Sequence, residues 1–159
     1  MSDAGPSRSL PVVLLAAWLG AATFFAAVIA PAAFRVLPER ALAGALVGRT
    51  LPVIFLAGVG AGTLVALLAW MDRDAVGRVP RVLGGALVAL TCGVATWGAL
   101  GRIERLRAAI GGTLDTLPPD DARRVMFGRL HALSVGLLGA AMLVAAITLV
   151  SFLRPRRSA

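Results

Sequence analysis

Residues 50–71 read TLPVIFLAGVGAGTLVALLAWM, a run of 22 residues without a charged side chain. A helix rises about 1.5 Å per residue, so about 20 such residues cross a hydrocarbon core about 30 Å thick. Three further runs occupy residues 10–34, 82–101 and 130–153. Lipid offers no partner to backbone N–H and C=O groups, and four continuous runs cannot form a barrel, so we expect helices. The sequence predicts an all-α fold, a four-helix transmembrane bundle.

The composition agrees with a membrane protein. Of 159 residues 58% are hydrophobic and 15% are charged, and the mean hydropathy is +0.86, which excludes an ordinary soluble domain. We divide the chain into a disordered N-terminal tail (residues 1–9), a membrane domain (residues 10–153) and a basic C-terminal tail (residues 154–159). The first run is longer than the 7 to 15 apolar residues usual in a signal peptide, so we interpret it as a retained anchor.

All 16 basic residues are arginine, and the formal net charge is +8. They are scattered through connections and tails rather than gathered on one soluble domain, so we expect no nucleic-acid partner. Seven arginines fall on the side of the chain termini and nine on the other side. This distribution leaves the membrane orientation open.

Two halves of the chain repeat the same order of features. The matched pairs are Trp18 with Trp97, Leu37-Pro38 with Leu117-Pro118, and Gly48-Arg49 with Gly128-Arg129. Their offsets of 79 or 80 residues predict two related helical hairpins with the same orientation. The alternative is chance matching in a sequence rich in Ala, Gly, Leu and Arg.

Small residues at helical spacing predict close helix contacts. Gly58 and Gly62 form a GxxxG pair, Gly84 and Gly85 open the third run, and Gly136 with Ala140 repeats the spacing in the fourth run. Such residues let helix backbones approach in lipid.

Chemically active groups are sparse. No charged residue lies in the middle of a run, which argues against an ion-coupled carrier. Phosphate-binding loops, zinc-ligand spacings, paired carboxylates and Ser/His/Asp sets are missing from the sequence. We therefore expect no catalytic residues and no cofactor.

The only histidine, His131, lies where a basic segment enters the fourth run. Arg124, Phe127, His131, Ser134 and Leu138 follow each other at spacings of three and four and so share one helical face. This face fits a packing contact, a lipid phosphate or small ligand, or a haem propionate. One histidine supplies only a single ligand for haem iron or copper, and bis-histidine ligation would require two chains. His131 is the only metal-ligand candidate that the face offers.

Three short motifs resemble the transmembrane protein 205-like family, whose bacterial members are labelled as a domain of unknown function. They are WLGAATFF (residues 18–25), APAAF (30–34) and FGRLHALS (127–134). The likeness covers about residues 10–153 and implies a four-helix membrane protein without an established reaction. The motif positions are Trp18, Gly20, Ala30, Pro31, Phe34, Phe127, Leu130, His131 and Ser134. A polar Asn is expected about a turn after Ser134, but Leu137, Leu138 and Gly139 stand there.

We expect a multi-pass integral membrane protein that is not an enzyme and that acts in membrane organisation, small-molecule or lipid handling, or interaction with a partner. The alternatives are a haem- or copper-associated membrane protein using His131, and a small transporter or transporter subunit. The expected partners are membrane lipids and either a second copy or an unidentified membrane protein. The expected location is the cell membrane, specifically the bacterial inner membrane.

Overall fold

The four apolar runs lie in four long helices in a computed structural model, which describes residues 6–72, 77–111 and 117–153. The helices that are long and apolar enough to cross a membrane are Ser9–Val36, Arg40–Met71, Arg78–Ile110 and Ala122–Leu153. No strand occurs within the described ranges, which confirms the all-α fold. A helix of 32 residues is about 48 Å long and therefore extends past both faces of a core about 30 Å thick.

Two of the four helices are interrupted by π-helical segments. The elements are α1 (Pro6–Phe24), a first π-helical segment (Phe25–Ile29), α2 (Ala30–Val36), α3 (Arg40–Met71), α4 (Arg78–Gly93), a second π-helical segment (Val94–Leu100), α5 (Gly101–Ile110) and α6 (Ala122–Leu153). Helix α1 includes residues 6–9, which we assigned to the N-terminal tail. The rest of that tail and the C-terminal tail at 154–159 lie outside the described residues, so their disorder stays a prediction.

Local sequence explains the ends of α5 and α6. Gly111 adopts a left-handed conformation with φ 64° and closes α5, a backbone state that glycine reaches without strain. At the start of α6, Oδ1 of Asp121 accepts hydrogen bonds from the backbone N–H of Arg123 at 2.8 Å and from its Nε at 3.0 Å. The guanidinium of Arg123 lowers the pKa of the Asp121 carboxyl to about 2. The carboxylate therefore remains charged at the positive end of the helix.

The helices form a ring in which α1 and α4 each pack against both α3 and α6. Leu15, Phe55, Val65 and Val88 are fully buried at its centre. Because lipid is as apolar as these side chains, the bundle is held by dispersion contacts and shape rather than by exclusion of water.

Glycines decide how closely the helices approach. A Cβ atom built on Gly62 of α3 would lie 2.7 Å from the carbonyl oxygen of Gly85, and one built on Gly85 would lie 2.8 Å from that of Gly62. A Cβ on Gly84 would collide with Thr148 of α6. These contacts confirm the predicted packing at Gly62, Gly84 and Gly85. The prediction for Gly136 was wrong, because no described atom of a neighbouring element lies within 4 Å of its Cβ position.

The two halves of the chain agree in layout and differ in environment. Helices α3 and α6, which close the two halves, both contain 32 residues. However, Trp18 is 5% exposed in the core, whereas Trp97 is 66% exposed. The relationship of the two hairpins stays a prediction.

Candidate functional site

A cleft of about 460 Å³ lies between α2 and α6 at the end of the bundle away from the chain termini, with α3 and α5 behind it. Its size falls within the roughly 300 to 1,000 Å³ of typical small-molecule sites. The lining residues are Phe34 of α2, Arg40, Ala41, Gly44, Ala45, Val47, Gly48, Leu51 and Pro52 of α3, Leu100, Ile103, Glu104 and Arg107 of the third long helix, and Phe127, His131 and Ser134 of α6.

The first long helix contributes Phe34 of α2 to the cleft, and its packing differs before and after the first π-helical segment. Helix α1 packs against α3 and α6, whereas α2 packs against α3. At this junction the N–H of Ala30 donates to the carbonyl of Phe25, five residues earlier, and Pro31 follows without an N–H of its own. On α6, the side chains that line the cleft are Phe127, His131 and Ser134.

Arg107 contacts three groups around the cleft. Its Nη2 donates to the carbonyl oxygen of Gly44 at 3.4 Å, and its Nη1 lies 3.7 Å from the Oε1 of Glu104. The guanidinium carbon lies 5.4 Å from the centre of the Phe127 ring, which is cation–π geometry. A Cβ atom on Gly48 would lie 2.7 Å from Nη1, so only glycine at this position leaves the guanidinium in its place.

Phe127 and His131 form a stacked pair on α6. Their rings are nearly parallel, at 3°, with centroids 6.2 Å apart. The Oγ of Ser134 donates to the backbone carbonyl of His131 at 2.8 Å, so the hydroxyl completes a contact within its own helix. Arg107, Phe127 and His131 thus form a continuous row from the α5 wall to the α6 wall of the cleft.

The remaining motif residues are divided between the bundle core and its surface. Trp18 is buried and its Nε1 donates to the carbonyl oxygen of Ile54 at 2.9 Å, while Leu130 is buried in the same core. Gly20 has no described atom of another element within 4 Å of its Cβ position. Ala30 and Pro31 lie at the start of α2 and do not line the cleft.

Arg124 does not join the histidine face. Its Nη1 donates to the carbonyl oxygen of Leu117 at 2.8 Å, which ties it to the connection before α6. The predicted face therefore contributes Phe127, His131 and Ser134 to the cleft, and Leu138 is buried in the core. Helical spacing alone could not separate these cases, because a long side chain at the first turn of a helix can reach back to the preceding loop.

Candidate metal ligands are dispersed. Within the described ranges, three or more His, Cys, Asp or Glu side chains do not come together in a metal-binding arrangement. Cys92 lies in the core, where its Sγ is 2.5 Å from the Cβ position of Gly58. Haem or copper ligation by His131 stays a prediction. It would require further ligands from outside the His, Cys, Asp and Glu side chains of the described ranges.

Sequence reasoning missed the charged side of the cleft, namely Arg40, Glu104 and Arg107. The two arginines follow or precede the apolar runs and were assigned to connections, and Glu104 was not singled out. A usable signal was present in Gly44 and Gly48, which repeat the GxxxG spacing just before the second run. Such a pair indicates that something approaches the helix closely, and in this bundle it is the Arg107 guanidinium.

A domain of unknown function, DUF4149, matches residues 13–110 of the chain. The protein belongs to this family. The family is an uncharacterised bacterial one, and the match does not confirm the narrower resemblance to the transmembrane protein 205-like family. No curated protein and no solved structure matches the chain.

The family match divides the cleft. It includes Phe34, Arg40, Gly48 and Arg107, and it ends before α6 begins. The walls from α2, α3 and α5 therefore belong to the matched region. The wall that carries Phe127, His131 and Ser134 lies beyond it.

Proposed function

We propose that this integral membrane protein binds a small, membrane-soluble molecule in the cleft between α2 and α6 and acts in lipid or small-molecule handling rather than in catalysis. The observation that carries the proposal is the cleft of about 460 Å³ at the side of an otherwise closely packed bundle. A bundle held together only by packing would gain dispersion contacts by closing this gap.

The character of the lining supports binding of an amphipathic molecule. The part near the bundle core is apolar, with Leu51, Leu100 and Ile103, and the outer part carries Arg40 and Arg107. Ligand sites in proteins typically combine a mostly apolar wall with a few placed polar groups. The Ser134 hydroxyl, bonded within its own helix, gives no support to a nucleophilic role.

The wider setting follows from the four apolar helices, which indicate a membrane protein. We place it in the bacterial inner membrane, with membrane lipids as partners and a second copy or another membrane protein as a further candidate partner. The haem- or copper-protein and transporter alternatives stay predictions, since no contact among the described residues favours either.

The proposal is tested by filling the cleft. Ala45 of α3 lines it, and Ala45→Phe places a ring in the space that the ligand would use. Ala57→Phe adds the same ring to the same helix at an exposed position outside the lining. Native mass spectrometry after mild detergent extraction should detect a bound small molecule on the wild type and on Ala57→Phe, and much less on Ala45→Phe. Equal retention by all three proteins would contradict the proposal.

A further inference from the structure

We propose that the molecule held in the cleft is an anionic membrane lipid whose acidic headgroup binds the guanidinium of Arg107. This inference rests on the proposed function and names the class of ligand. Three observations support it: the depth of Arg107 in the bilayer, the weak contacts that it makes within the protein, and the charge of the cleft.

The depth follows from counting along the helices. Arg107 lies six residues after Gly101, where the third apolar run ends, which is about 9 Å along the helix axis. The interfacial layer extends about 5 to 8 Å beyond each face of the hydrocarbon core. Helical side chains lean toward the N-terminus of their helix, which in α5 is the direction of the bilayer. The guanidinium of Arg107 accordingly lies against Gly48, two residues before the second apolar run. Arg107 is therefore held at the level of lipid headgroups.

The polar contacts of Arg107 within the protein are long. Its 3.4 Å hydrogen bond to Gly44 and its 3.7 Å approach to Glu104 both exceed the usual 2.7 to 3.2 Å of N–H···O bonds. The Glu104 side chain is 64% exposed, so water screens that pair strongly. A phosphate or carboxylate could form shorter, charge-assisted bonds to the planar guanidinium, and two of them in parallel.

The charge of the cleft favours an anion over a neutral or cationic headgroup. Two guanidinium groups, Arg40 and Arg107, line it together with one carboxylate, Glu104. Below them lie Leu51 and Ile103, which suit the first part of an acyl chain. Since the cleft is at the side of the bundle, the rest of the chain can remain in the bilayer. This arrangement is complementary to an amphiphile with an acidic headgroup at the membrane interface.

The test measures headgroup preference in the full-length protein. Wild type, Arg107→Gln and Arg105→Gln are reconstituted into nanodiscs of equimolar phosphatidylglycerol and phosphatidylethanolamine, and bound lipids are identified by native mass spectrometry. Arg105 is an exposed arginine of the same helix outside the cleft lining, so its variant removes the same charge from the same region. We expect wild type and Arg105→Gln to retain phosphatidylglycerol preferentially. Loss of a charge-assisted bond should reduce that preference about tenfold or more in Arg107→Gln.

Two further measurements distinguish headgroup selection by Arg107 from a folding defect and from binding of a free ion. Thermal melting shows whether Arg107→Gln is less well folded than wild type. In that case Arg107→Lys provides the test, because lysine keeps the charge and loses the planar guanidinium. An intermediate preference for phosphatidylglycerol in Arg107→Lys then supports the inference. Wild type without headgroup preference, or equal losses in the Arg105 and Arg107 variants, would overturn it. Retention of inorganic phosphate by wild-type protein that retains no phosphatidylglycerol would also overturn it, because the site would then bind an ion and not a lipid.

The two proposals fail in different ways. If Ala45→Phe loses bound lipid while Arg107→Gln keeps the wild-type preference, the cleft binds a ligand but Arg107 does not select its headgroup. If Ala45→Phe retains as much lipid as wild type, the proposed function itself fails.

Discussion

Gly62→Ala should separate helices α3 and α4 and destabilise the bundle. The new Cβ would lie 2.6 Å from the backbone nitrogen of Ala89 and 2.7 Å from the carbonyl oxygen of Gly85, whereas ordinary contact begins at 3.4 Å. The obstructing atoms belong to backbone, so no side chain can rotate away. The helices must move apart by about 0.8 Å, and gaps of about 0.5 to 1 Å forfeit a quarter to a half of each dispersion contact along the crossing.

The cost can be isolated by a matched control on the same helix. Gly60→Ala makes the same chemical change two residues away, where no described atom of another element lies within 4 Å of the Cβ position. Alanine favours helix over glycine by about 1 kcal/mol, and this gain is common to both variants. Their difference in free energy of unfolding therefore reports the overpacking alone, which typically costs about 1 to 3 kcal/mol.

The assay is unfolding of both variants by sodium dodecyl sulfate from detergent micelles, followed by circular dichroism. Gly62→Ala should unfold at a lower mole fraction of dodecyl sulfate than wild type, and Gly60→Ala at an equal or higher one. If the two alanine variants unfold together, the close crossing at Gly62 contributes nothing and the packing argument is refuted.

The same unfolding assay checks two further predictions. Trp18→Phe removes the 2.9 Å hydrogen bond to Ile54 and should lower the free energy of unfolding by about 1 to 2 kcal/mol. Trp97→Phe changes a residue that is 66% exposed and should lower it far less. Similar losses in the two variants would refute a core role for Trp18. Because the Asp121 pKa is lowered from 3.8 to about 2, its contact with Arg123 should stabilise the protein above pH 4 and lose that effect as the pH falls through 2. Wild type should accordingly be more stable than Asp121→Asn at pH 5 and equally stable below pH 2, and a constant difference across this range would contradict the assignment.

Much of the bundle could be predicted because the length and apolar character of a membrane helix depend on one continuous stretch of sequence. The apolar runs at residues 50–71 and 130–153 are long enough to cross a bilayer, and in lipid such runs must satisfy their own backbone as helices. The spacing of Gly58 and Gly62 indicated a packing face correctly. The same reasoning failed at Gly136, because small residues also occur on faces that meet only lipid.

The candidate site was predicted in part. Placing Phe127, His131 and Ser134 on one face was correct as geometry, and all three line the cleft. Arg124 was expected beside them and instead bonds to Leu117, while Arg107 was assigned to a connection and lies in the cleft. Helical periodicity predicts which residues are neighbours on one helix, whereas residues of all four long helices line the cleft.

The sequence by itself determined the number of membrane helices, their apolar lengths and the small residues available for packing, because each depends on neighbours within one stretch of chain. The tertiary structure alone decided which groups share the cleft. Arg107 reaches the carbonyl of Gly44 across 63 residues of chain. That meeting depends on how the third long helix packs beside α3. This packing involves whole helices, and it brings an arginine that lies beyond an apolar run to the wall of the cleft.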